Sequence, residues 1–255
     1  KKISELIPEF MLKDYRKAES KYGKITETAK TIVKALTGRR PGKEITVDIT
    51  DELEDGVMGT NDPTSHEIQA RPRSYLKTIA TLFHEYGHEF YKLDANQVHT
   101  EMVKRMEEAA AYCFMISGLM RFADIFPHTK EMVDNYIIDY RNSELERFNE
   151  KDDDSHPTGW ALAEAIAKNH GGDFAQAFNY LATVQSWEEI APWIRADYEE
   201  MKRFKPPELE SPTGDIRITL WTDEVIDAPR KILETYWTRG GNDNRSMGLL
   251  ASREM

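Results

Sequence analysis

Residues 78–93 read TIATLFHEYGHEFYKL, and they constrain the chain more than any other stretch. Leu76, Ile79, Phe83, Gly87 and Phe90 recur at helical spacing and make a helix with apolar flanks. The same helix carries His84 and His88, one turn apart on a single face. A fold that buries the flanks also shelters the histidines. Two imidazoles on one rigid face can point at one ion, and zinc favours imidazole nitrogen. Glu85 lies about 100° around the helix from His84, off such an ion and beside it. In the HExxH pattern zinc lowers the pKa of a bound water toward roughly 7, and the glutamate takes its proton. The competing reading is a chance pair of histidines on an ordinary amphipathic helix. Gly87 favours the first, because glycine in mid-helix costs about 1 kcal/mol against alanine. A close helix contact or a nearby ligand would explain that cost.

The bulk composition narrows the setting. The chain has 255 residues and a hydrophobic content of 40%, enough for one large domain or two lobes around a cleft. A net charge of −11 argues against a nucleic-acid partner, which needs a basic face. No apolar run approaches the roughly 20 residues that span a bilayer, so no membrane partner is expected. The opening KKISELIPEF carries no apolar signal segment, and a cytoplasmic setting is expected. Cys113, the lone cysteine, sits in EEAAAYCFMI and reads as a small buried hydrophobe.

Periodicity organises the rest. Residues 1 to about 38 read as helix, and EITVDI at 44–49 alternates as a strand. DELEDGVMGTNDPTS reads as loop or hairpin, HEIQARP as a short extended run, and Ser74 as the cap of the histidine helix. Helices are expected over roughly 98–122 and 129–148, then over WALAEAIAKN, which Gly171 and Gly172 close. DFAQAFNYLATV and SWEEIAPWIRADYEEMKRF continue the helical run, and KPPELESPTGD is a linker to a tail. The expected class is α+β, mostly α. A small N-terminal sheet stands with the histidine helix, followed by a helical C-terminal lobe. The segments are an N-terminal helical piece at 1–44, a core at 45–122, a helical lobe at 123–204 and a linker with tail at 205–255.

HEYGH at 84–88 resembles the HExxH zinc metallopeptidases, and the position of a third ligand separates their branches. Asp94 stands at the metzincin distance, but Tyr91 replaces that branch's turning glycine. The compact gluzincins take a glutamate from the next helix, about 19 or 20 residues beyond the second histidine. Here Glu107 and Glu108 stand 19 and 20 residues past His88, each followed three residues on by an alanine. Facing favours Glu107, which shares its side with Val103, Ala110 and Phe114, and Glu108 is the reserve. Glu89 departs from the family, which usually has an uncharged residue after the second histidine.

The resemblance implies a zinc-dependent peptidase acting on a peptide or protein substrate. His84, His88 and Glu107 would hold Zn2+, and Glu85 would be the general base. It also implies an edge strand before the histidine helix that pairs with the substrate, a place held here by residues 65–71. An oxyanion donor is expected from the helical lobe. His156, in a loop before a helix, is the first choice and Tyr112 the second. His66, His99, His128 and His170 read as exposed or structural. Two other functions remain open. One is a regulatory metallopeptidase-like protein acting on a single partner, and the other a non-catalytic zinc-binding interaction protein. The tail after 205 is expected to cover the cleft or a neighbour's.

Overall fold

In the computed structural model the described residues are 21–38, 45–62, 64–91, 101–150 and 155–201. The chain is mostly helical with one small sheet, as the periodicity predicts. Helix α1 spans Lys21–Thr37. Strands β1 (Thr46–Ile49), β2 (Gly59–Asp62) and β3 (Glu67–Ala70) follow. Then come α2 (Tyr75–Phe90), α3 (Glu101–Ile125), α4 (Lys130–Glu150), α5 (Ser155–Asn169), α6 (Phe174–Leu181) and α7 (Pro192–Met201). Residues 1–20, Asp94, His99 and the tail at 205–255 lie outside the described residues. No helix among the described residues is long and apolar enough to cross a membrane.

The sheet order is β1–β3–β2, with β3 parallel to β1 and antiparallel to β2. This corrects the expectation that residues 65–71 form an open edge. β3 is the central strand, because Ile68 and Ala70 must be buried and the strand is covered along both sides. The edge beside the histidine helix is β2, within the stretch read as loop or hairpin. Its turn into β3 is held by Asp62, whose Oδ1 accepts from Thr64 N at 2.8 Å. His66 closes that turn with φ of 55°, unusual for a residue with a Cβ.

α2 starts at Ser74, whose hydroxyl accepts from the Lys77 amide, as its residue type predicts. It stops at Phe90, with Tyr91 as the cap. α3 is the central helix. From Ala109 to Met120 every residue is buried, which a helix manages only when neighbours cover all its faces. Cys113 lies in this stretch, fully buried. α5 ends in Gly171 and Gly172 at φ of 68° and 84°, with Gly172 N bonded back to Ala167 O at 2.8 Å.

Three glycines set how closely the helices meet. A Cβ on Gly87 would stand 2.6 Å from Ala111 Cα, so α2 and α3 touch backbone to backbone there. Gly118 of α3 lies under the Phe83 ring of α2. Gly159 of α5 rests directly on Glu108 and Ala109 of α3. The mid-helix cost of Gly87 is thus explained by a close helix contact. Gly87→Ala should gain about 1 kcal/mol of helix propensity and lose more by overpacking, typically 1–3 kcal/mol. Chemical denaturation of the variant is therefore expected to show a net loss. An unchanged midpoint would mean the two helices separate freely.

Candidate metal centre and cleft

The α2–α3 contact brings the side chains of one face of α2 against α3. His84 Nε2 and His88 Nε2 lie 3.2 Å apart. Glu108 Oε2 stands 3.3 Å from His84 Nε2, and Oε1 stands 3.8 Å from His88 Nε2. Glu107, the expected partner, is elsewhere. Its charge, after burial, helps push the Tyr91 phenol up, which places it beside Tyr91 at the end of α2. Facing does not separate the two, because α3 is buried on both sides along this stretch. Farther along, Ala111, Tyr112 and Met115 on the Glu108 side are as buried as Ala110 and Phe114 on the Glu107 side. Gly159 then closes over Glu108.

The donor set suits a divalent ion. Four-coordinate zinc with bonds of about 2.0–2.1 Å spaces its ligand atoms about 3.3 Å apart, close to the separations seen here. Burial, then the neighbouring His84, pulls His88 down to about 4, so its ring is neutral at ordinary pH. Burial works against a charge on Glu108, but the His156, His84 and His88 rings outweigh it and hold the carboxyl well below its usual value. Glu108 Oε2 is buried and, although two ring nitrogens are near, no N–H is aimed at it. A buried carboxylate oxygen with no aligned donor is suited to a cation.

Glu85 sits beside this cluster rather than in it. Burial pushes its carboxyl up to about 7, with Glu108 adding to the rise and His84 opposing it. β2 presses on it from the other side. A Cβ on Gly59 would stand 2.6 Å from Glu85 Oε1. Asn61, one pleat along, donates to the Glu85 carbonyl at 2.9 Å. Glu89 explains its own presence. It is buried, and its Oε1 lies 2.8 Å from Nδ1 of His66, which is half-buried rather than exposed. Its Oε2 lies 3.4 Å from Asn61 Nδ2. Glu89 thus ties α2 to the β2–β3 turn.

His156 also reaches the cluster, from the first turn of α5 rather than from a loop. Its Nδ1 lies 3.0 Å from Glu108 Oε2 and 3.3 Å from Tyr112 Oη. Tyr112 is fully buried behind it. His170 packs at 5.4 Å against Tyr180 with its ring tilted, and is not part of the cluster.

The cluster opens on a cleft of about 310 Å³. Residues 56–59 form one wall, Thr81, His84 and Glu85 the floor, and Tyr136, Tyr140 and Arg147 of α4 the other wall, with His156. The first wall is stapled by Arg71, which donates to the carbonyls of Leu53, Glu54 and Val57. The α4 residues went unnoticed in the sequence, although positions 136, 140 and 147 share one helical face.

Elemental analysis of the purified chain is expected to find about one transition-metal ion per chain. Glu108→Ala should lose it and Glu107→Ala should keep it. The reverse pattern would move the third donor to Glu107. Comparison with protein-family models, with curated proteins and with solved structures returned no match, so the chemistry of this site rests on its own residues.

Proposed function

We propose that the chain is a zinc-dependent peptidase of the gluzincin type, with His84, His88 and Glu108 as the zinc-holding residues. The observation that carries this reading is the convergence of His84 Nε2, His88 Nε2 and the two Glu108 oxygens at 3.2, 3.3 and 3.8 Å, with a separate carboxylate, Glu85, beside them. Bound there, zinc would supply Lewis acidity that polarises a carbonyl and acidifies a water.

The chain's own residues supply the rest. A base poised near neutral pH takes a proton readily and gives it back readily. Glu85, pushed up to about 7, can accept the proton of the attacking water and return it to the leaving amine. β2 has an unpaired edge among the described strands, and an extended peptide can add to such an edge by backbone hydrogen bonds. Gly59 would bring that peptide backbone within reach of Glu85. His156 stands on the cleft wall and is the donor for the carbonyl oxygen.

A second reading has an observation of its own. His84, Glu108 and His156 offer atoms that all lie within 4.8 Å of one another. His88 Nε2, 3.2 Å from His84 Nε2 but outside that group, would be the fourth donor of a closed structural zinc site. Such a site would stabilise the helix packing without hydrolysing anything.

Two variants separate the readings. Glu85→Gln should keep the metal and lower peptide hydrolysis by about 10²–10⁴-fold. Full activity in that variant would remove Glu85 as the base. His156→Ala should keep the metal and lose rate in the peptidase. Loss of the metal in His156→Ala, with no hydrolysis by the parent chain, would favour the closed site.

A further inference from the structure

The catalytic reading gives no task to Glu89, a buried carboxyl one residue past His88 on α2. Its two oxygens turn to the sheet. Oε1 lies 2.8 Å from His66 Nδ1, just before β3, and Oε2 lies 3.4 Å from Asn61 Nδ2, on β2. The same Nδ2 donates to the Glu85 carbonyl at 2.9 Å. Two local costs gather at this clasp. His66 holds φ of 55°, and Asn61 Oδ1 is buried with no partner among the described residues. Costs of this kind persist where the surrounding structure enforces them, and they cluster at working sites.

The ladder of the sheet shows what the clasp holds. Arg71 N bonds Met58 O at 2.8 Å, so Met58 turns its backbone groups toward β3. Alternation along an antiparallel strand then gives Thr60 and Asp62 to β3. It leaves the N–H and C=O of Gly59 and Asn61 on the open edge. Asn61 therefore has its side chain in the clasp and its backbone groups on the edge. We infer that Glu89 is a positioning residue, which through Asn61 and His66 fixes the β2 edge over α2 and so aligns a bound peptide with Glu85. The inference rests on the peptidase reading and concerns the same site. Glu85 and Glu89 lie one turn apart on one helix, so the edge is indexed to the element that bears the base. The packing at Gly59 limits how closely the strand approaches α2, and the bonds at Asn61 stop it from drawing away.

The test uses a fluorescein-labelled neutral octapeptide and a set of copies, each N-methylated at one peptide bond. N-methylation removes one backbone donor, so it marks the bonds made along an edge. Anisotropy on the full-length Glu85→Gln chain reads binding without turnover. At least one methylated copy should bind roughly tenfold weaker than the unmethylated peptide, as for one lost backbone bond. Adding Glu89→Ala should shrink that penalty to about twofold or less, because the two changes act on one contact, and the metal content should stay the same. Glu89→Gln, which keeps an acceptor for His66, should retain most of the penalty. The pair His66→Gly with Glu89→Ala should behave as Glu89→Ala does. It guards against misfolding, since glycine suits φ of 55° and no buried charge is left alone. A purely structural glutamate would weaken all the peptides alike and leave the penalty intact. An intact penalty in the variants, no penalty or no binding on the Glu85→Gln chain, loss of the metal with Glu89→Ala, or failure of both variants to fold would each overturn the inference. Hydrolysis by the parent chain with an intact penalty in the variants sinks this inference alone. A penalty that depends on Glu89, without hydrolysis by the parent chain, sinks the peptidase reading instead.

Discussion

The contact of Gly87 with Ala111 is the constraint on which the centre depends. Interhelical distances ordinarily run 8–10 Å, according to the side chains between the axes. With no Cβ at Gly87, α2 can bring its backbone against α3, and its neighbours His84 and His88 come within reach of Glu108. Gly159 does the same from α5, which carries His156. Distances near 3 Å between side chains of three helices follow from two positions without a side chain.

Such packing concentrates ionisable groups, and the protein arranges them in opposed pairs. Glu108 faces three imidazoles. Glu89 faces His66 and Asn61. Behind the wall of the cleft, Arg141 holds Glu164 with bonds of 2.6, 2.8 and 3.0 Å, and the Trp160 indole adds another. Buried charges are tolerated when partnered in this way and destabilise when one partner is lost. Glu85 is the exception. Burial outweighs the opposing His84 and raises its carboxyl to about 7, so it holds its proton more tightly than an ordinary carboxyl.

Much of this was legible in the sequence, and for identifiable reasons. The 3.6-residue period placed α1 and α2, and Ser74 and Gly171–Gly172 marked ends by their chemistry. The histidine pair was plain from its spacing alone. The side of α3 that meets it was not, because the residues beside Glu107 and those beside Glu108 are apolar and buried alike. Gly87 needs a small partner, but Ala110 and Ala111 stand three residues after Glu107 and Glu108 alike, and only the packing shows that the partner is Ala111. The strand order stayed hidden, since four-residue strands have no pattern that tells centre from edge.

Arg71 bears on how the cleft meets a ligand. One guanidinium ties down the carbonyls of Leu53, Glu54 and Val57, and Arg71 N bonds Met58 O at 2.8 Å. A connection rich in glycine and aspartate would otherwise sample many shapes, and a ligand would have to select one. Here that selection is made during folding, so the entropy of ordering the wall is spent before any encounter. The cleft is a mould rather than a hinge, and discrimination among ligands falls to shape and charge.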